Sequence, residues 1–141
     1  MSIINYLGCN IIFPLSDEDC DNKILIGECF SDDEMKQKVK RHFSTKYIYE
    51  APTNEGVGIW FNKHYKKDYP QSNSESQESF QELGELLYDY LEEGDYCELY
   101  TCWVGDEEEK RSMELDQTIE LNNFDINKIQ IYEKTLLTIR K

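Results

Sequence analysis

The stretch from Gly94 to Arg111, GDYCELYTCWVGDEEEKR, constrains this chain more than any other part of it. Gly94-Asp95 is a helix stop, and Tyr96 to Val104 is the most strand-like run in the protein. Gly105 then leads into four consecutive acids, Asp106 to Glu109. Alternation places Cys97, Leu99, Thr101 and Trp103 on one face of the strand and Tyr96, Glu98, Tyr100 and Cys102 on the other. The first set suits a core. The second suits a face that meets a partner or lies under a helix.

The flanking segments predict what surrounds that strand. Phe80, Leu83, Leu87, Tyr90 and Leu91 recur at helical spacing, which predicts a helix over 75–93 feeding into the strand and packing on it. Ser31 is a good N-cap with Glu34 three residues on. Met35, Val39 and Phe43 follow at intervals of four, predicting an amphipathic helix over 32–43. Short strands are expected at 3–7 and 11–13 around Gly8-Cys9-Asn10, and at 24–26. Residues 47–50 and 57–61 are expected to pair as a hairpin about Pro52, Asn54 and Gly56. Residues 113–121 alternate loosely, and 129–132 with 135–139 suggest a closing strand or hairpin turning at Glu133-Lys134. Between them, Asn62 to Ser79 is rich in Ser, Asn and Gln and predicts a polar loop, free to be mobile, with a basic patch of Lys63, His64, Lys66 and Lys67. The sum is an α+β fold, a mostly antiparallel sheet with two amphipathic helices packed on one face.

Length fits a single domain over 1–141, large enough to bury a core without disulfides or metal. Charge is the dominant global fact: 29 acids against 15 Lys and Arg leave a formal −14. Such a field repels nucleic-acid phosphate and anionic lipid, disfavouring both as partners, and it speeds encounter with a basic protein. The plainer alternative is that the acidity only keeps the protein soluble. Five cysteines, Cys9, Cys20, Cys29, Cys97 and Cys102, lack disulfide-framework spacing and read as reduced thiols. The first residues have neither the basic start of a signal peptide nor the length of a membrane span, so a cytoplasmic protein is expected.

Each candidate site meets a simpler explanation. Asp17, Asp19, Asp21 and Glu28 sit at positions 1, 3, 5 and 12 of a calcium-like loop. Asn22 replaces the required Gly, Pro14 breaks the entering helix, and ILIGECF is strand-like, so a solvated acidic loop is the default. The cysteines with His42 and His64 lack metal-ligand spacing and read as small buried thiols. Glu108-Glu109-Lys110 with Asp95 imitates a nuclease element but lies in a charge run. Neither His is placed beside a nucleophile by sequence, no phosphate-cradling loop exists, and no cofactor is called for. What remains is the surface of Glu98, Trp103, Asp106, Glu107, Glu108 and Glu109, carboxylates beside an aromatic anchor, as a cationic protein partner requires.

In size, acidity and lack of a catalytic motif, with segments such as ILIGECFSDDE, HFSTKYIYE and ELYTCWVGDEEEKR, the chain resembles the small acidic immunity proteins of bacterial toxin systems. That resemblance implies a cytoplasmic protein-binding module occluding a basic toxin domain. Two other classes stay open. One is a small metal- or small-molecule-dependent enzyme with its site between helix 75–93 and strand 96–104. The other is a homo-oligomer joined through strand edges or the Tyr-rich face.

Overall fold

The computed structural model describes residues 3–13, 26–27, 33–51, 53 and 58–141. Among these, five strands form one sheet: β1 (Ile3–Cys9), β2 (Tyr47–Glu50), β3 (Tyr96–Trp103), β4 (Gln117–Glu120) and β5 (Thr135–Arg140). Their order is β2-β1-β3-β5-β4, with every pairing antiparallel except the parallel β4 and β5. With helices α1 (Asp33–Lys40), α2 (Lys63–Asp68) and α3 (Pro70–Tyr90), the protein is α+β with a mostly antiparallel sheet.

β3 lies at the centre because neither of its faces tolerates water. Cys97 through Cys102 are all buried. Register stacks Leu7, Leu99 and Leu137 on one face, in the larger core with Phe80, Leu83 and Leu87 of α3. The other face stacks Tyr6, Tyr100 and Leu136, with Ile48, Cys102 and Val39 of α1 in a second cluster and Phe43 packed against it. The expectation that both helices share one face is therefore corrected: they cover opposite faces. A sheet apolar on both sides needs two covers, and Val39 with Phe43 supplies the second.

Several local expectations change for identifiable reasons. β1 runs unbroken through Gly8 to Cys9. A Cβ at Gly8 would collide with Thr45 Oγ1 and the Phe43 ring, so glycine here admits the 43–45 segment across the strand. Residues 11–13 form no strand; Phe13 is buried and its N–H donates to the Tyr49 hydroxyl at 2.8 Å. β2 pairs with β1 and not with 58–61, the expected turn at Pro52, Asn54 and Gly56 lies outside the described residues, and Glu50 forms a bridge with Gly27. Residues 129–132 are not a strand, although the Ile131 N–H donates to the Phe61 carbonyl at 2.7 Å.

The largest correction concerns 62–79, which is helical instead of a loop. Asn62 caps α2 by accepting from the Tyr65 N–H at 2.9 Å, and Pro70 occupies the first turn of α3. The inward row of α3 continues backwards from Leu87, Leu83 and Phe80 into Ser76 and Asn73. These two are polar because they meet irregular backbone: Asn73 Oδ1 accepts from the Asn62 N–H at 3.1 Å, and Ser76 Oγ from the Trp60 N–H at 3.4 Å. Buried Asn and Ser thus serve donors that no ladder serves, which composition reads as loop.

Candidate functional surface

The acid loop after β3 is anchored from within. Glu107 is 2% exposed. Its carboxylate accepts from the Tyr6 hydroxyl at 3.0 Å and the Gly105 N–H at 2.9 Å. Its carbonyl accepts from His42 Nε2 at 2.8 Å, so that nitrogen carries the proton. The His42 ring stacks on Tyr100 with centroids 4.1 Å apart. Burial pushes the imidazole below its ordinary range, opposed by the hydrogen bond to Glu107 and reinforced by the nearby Arg111 and Arg41 charges. Arg111 Nη1 donates to the His42 carbonyl at 2.7 Å, and its Nε lies 3.1 Å from Asp116 Oδ2. Asp116 in turn accepts from the Leu136 N–H at 2.9 Å. The loop is clamped to both α1's exit and β5.

Glu98 is buried as well, at 5% exposure. Its carboxylate accepts from the Ser44 N–H at 2.9 Å, the Thr45 N–H at 3.0 Å and the Ser44 hydroxyl at 3.1 Å. Those are the donors of the segment that crosses Gly8. Glu98 and Glu107 are therefore removed from the set expected to face a partner. Of the rest, Asp106 and Trp103 are half-buried and Glu108 and Glu109 are exposed. Trp103 packs edge-on against Trp60, centroids 5.4 Å apart.

Glu108 and Glu109 border an open cleft of about 340 Å³ whose other lining residues are Arg41, His42, Lys110, Arg111 and Met113. Lys38 Nζ comes within 3.9 Å of Glu108. Charge here is mixed, not acidic.

The carboxylate surplus extends well beyond this cleft. Residues 68–109 contain fourteen acids and no Lys, Arg or His, so the entire formal −14 of the chain resides in that stretch. Five of these acids, Glu75, Glu78, Glu82, Glu85 and Asp89, recur at intervals of three and four along α3, and all five are exposed. They form one stripe opposite the buried row. Beside it, Gln81, Gly84, Glu85, Tyr88, Leu121 and Phe124 line a groove of about 410 Å³. Tyr88 is 46% exposed, with Lys141 Nζ 4.0 Å from its ring centroid. Sequence reasoning missed this surface, although the absence of any base between Lys67 and Lys110 is a signal readable without coordinates.

The calcium-like residues Asp17, Asp19, Asp21 and Glu28 lie outside the described residues. Among the described residues, no cluster of three His, Cys, Asp or Glu side chains is placed to hold a metal ion, and no helix is long and apolar enough to cross a membrane. No protein-family model, curated protein or solved structure matches this chain.

Proposed function

We propose that this protein is a cytoplasmic protein-binding module whose acidic α3 face takes a basic partner, acting as an immunity-type inhibitor that occludes a cationic cleft. One observation carries the reading: all of the net charge is segregated into 68–109, and α3 presents five of those carboxylates in a single exposed row without a base on the helix. A row of like charge on a rigid helix focuses potential outward, steers a cationic protein into contact and pairs with its Lys and Arg side chains. The groove beside Gly84 and Tyr88 gives an apolar side chain of that partner a place to anchor. Mimicry of a polyanion follows directly, because a cleft that holds phosphates also accepts evenly spaced carboxylates.

The test begins with the proteins encoded on either side of this one, each titrated calorimetrically against the full chain at low and at moderate salt. Binding that weakens steeply with salt and disappears in the triple variant Glu82→Lys, Glu85→Lys, Asp89→Lys supports the proposal. Binding that ignores both salt and the triple variant places the interface on another surface and overturns it.

A further inference from the structure

At the heart of the sheet two thiols face each other. Cys9 and Cys97 are direct cross-strand partners of β1 and β3, and both are fully buried. Their Sγ atoms are 2.8 Å apart, closer than the roughly 3.5–4.0 Å at which unbonded heavy atoms ordinarily rest. Residues directly opposed in an antiparallel pair have Cα atoms about 4.5–5.5 Å apart, inside the roughly 4.4–6.8 Å that a disulfide spans. The spacing of the two strands is therefore within the span of a disulfide.

We propose that Cys9 and Cys97 form a latent cross-strand disulfide, a modification site whose co-reactant is a low-molecular-weight disulfide such as oxidised glutathione. One protein thiolate attacks the glutathione disulfide, joining one half and expelling the other as a thiolate. The second protein thiolate then attacks the mixed bond and expels the remaining half. Two protein thiols lose two protons and two electrons, and one glutathione disulfide becomes two glutathione thiols.

Burial sets when this happens. The hydrogen bond with Cys9 and the loss of water both push the Cys97 thiol up, so the reactive thiolate is scarce once the sheet has closed. The bond therefore forms while the chain is folding or transiently open, and in a reducing compartment the pair persists as thiols. Once formed, it ties together positions 88 residues apart in the chain, where loop-closure entropy gives a cross-link a large effect.

The experiment refolds the full chain from denaturant in a reduced and oxidised glutathione buffer, then quenches, alkylates under denaturing conditions and maps peptides. The expected product has a mass lower by about 2 Da, two of its five thiols blocked, and a Cys9–Cys97 peptide. Its Tm stands about 10 °C above that of the reduced protein. Cys102→Ala should leave the link intact, whereas Cys9→Ala or Cys97→Ala should abolish it even if the variant folds poorly, since the map is read on denatured chain. Five alkylated thiols, a different pair, a stable glutathione adduct, or a Cys9–Cys97 link that lowers Tm would each overturn the proposal.

Discussion

The Tyr6 hydroxyl donates to the Glu107 carboxylate at 3.0 Å, joining the strand next to the sheet's centre to the loop that follows β3. Both residues are almost fully buried. A charge-assisted bond in such a place is costly to break on one side only, since among the described residues the carboxylate then keeps only the Gly105 backbone N–H as a donor. Tyr6→Phe is expected to lower unfolding free energy by about 1–2 kcal/mol, measured by urea titration at pH 7. A change under a few tenths of a kcal/mol would mean that water replaces the phenol without cost.

Glu98 serves the same purpose for a different segment. Its three donors all come from Ser44 and Thr45, which cross β1 over Gly8. Glu98→Ala strands the N–H of buried Thr45 and frees that of exposed Ser44 to water, and is expected to cost about 1–3 kcal/mol in denaturant unfolding. Glu98→Gln keeps one acceptor oxygen and should cost less than half as much. Equal effects from the two substitutions would show that charge, rather than the acceptor geometry, holds the segment.

Legibility in the sequence followed the kind of residue involved. β3 was readable because Tyr96 to Trp103 is a run of aromatic and other strand-forming residues bounded by Gly94 and Gly105, and the helical part of α3 carrying Phe80, Leu83 and Leu87 was readable because its buried row is apolar. Where the same row turns to Ser76 and Asn73, a buried helix imitates a loop, since polar residues are buried there to satisfy the backbone of 60–62. The burial of Glu98 and Glu107 was hidden for a related reason: a carboxylate pattern does not tell whether donors wait for it inside the fold. Conversely, the stripe on α3 depends only on spacing and on the lack of bases, both present in the sequence, and was overshadowed by the denser run at 106–109.

Alkaline pH should unfold the second core cluster. Burial, as the first cause, raises the Cys102 thiol to about 12 and raises the Tyr6 and Tyr100 phenols above their ordinary range; negative Glu107 adds to all three. A folded value above the unfolded one means stability that is complete below the unfolded value of about 9–10 and lost as pH rises beyond it. Unfolding free energy is expected to stay flat from pH 7 to about 8.5 and then fall by about 1.4 kcal/mol per pH unit for each proton the folded state retains. Tyr100→Phe should make that fall shallower. A profile unchanged by the substitution would place the alkaline sensitivity elsewhere.

Gly84 sits inside α3, and a Cβ there would meet Leu121 at 3.7 Å and Phe124 at 3.9 Å, ordinary van der Waals distances. Replacing it with Ala removes a helix-interior glycine without a clash. Gly84→Ala should therefore raise stability by about 1 kcal/mol in urea unfolding. It also narrows the groove that the proposed partner's apolar side chain would enter. Greater stability with weaker partner binding is the expected pair of results; loss of stability would show that the groove wall is tighter than these distances imply.

The carboxylate stripe makes a sharper version of the same trade. Glu82, Glu85 and Asp89 are neighbours at intervals of three and four, and like charges so spaced oppose helix formation by about 0.2–0.5 kcal/mol per pair. Replacing Glu85 with Lys turns both repulsions into attractions. Glu85→Lys is thus expected to stabilise the isolated protein by about 0.5–1 kcal/mol, an effect that shrinks as salt is added. The same substitution places a cation in the row that meets a cationic partner, so affinity should fall while stability rises. Unfolding curves at two ionic strengths, set beside titration of the partner, separate the two effects. A variant that gains stability and binds as before would identify the stripe as a solubilising surface with no part in recognition.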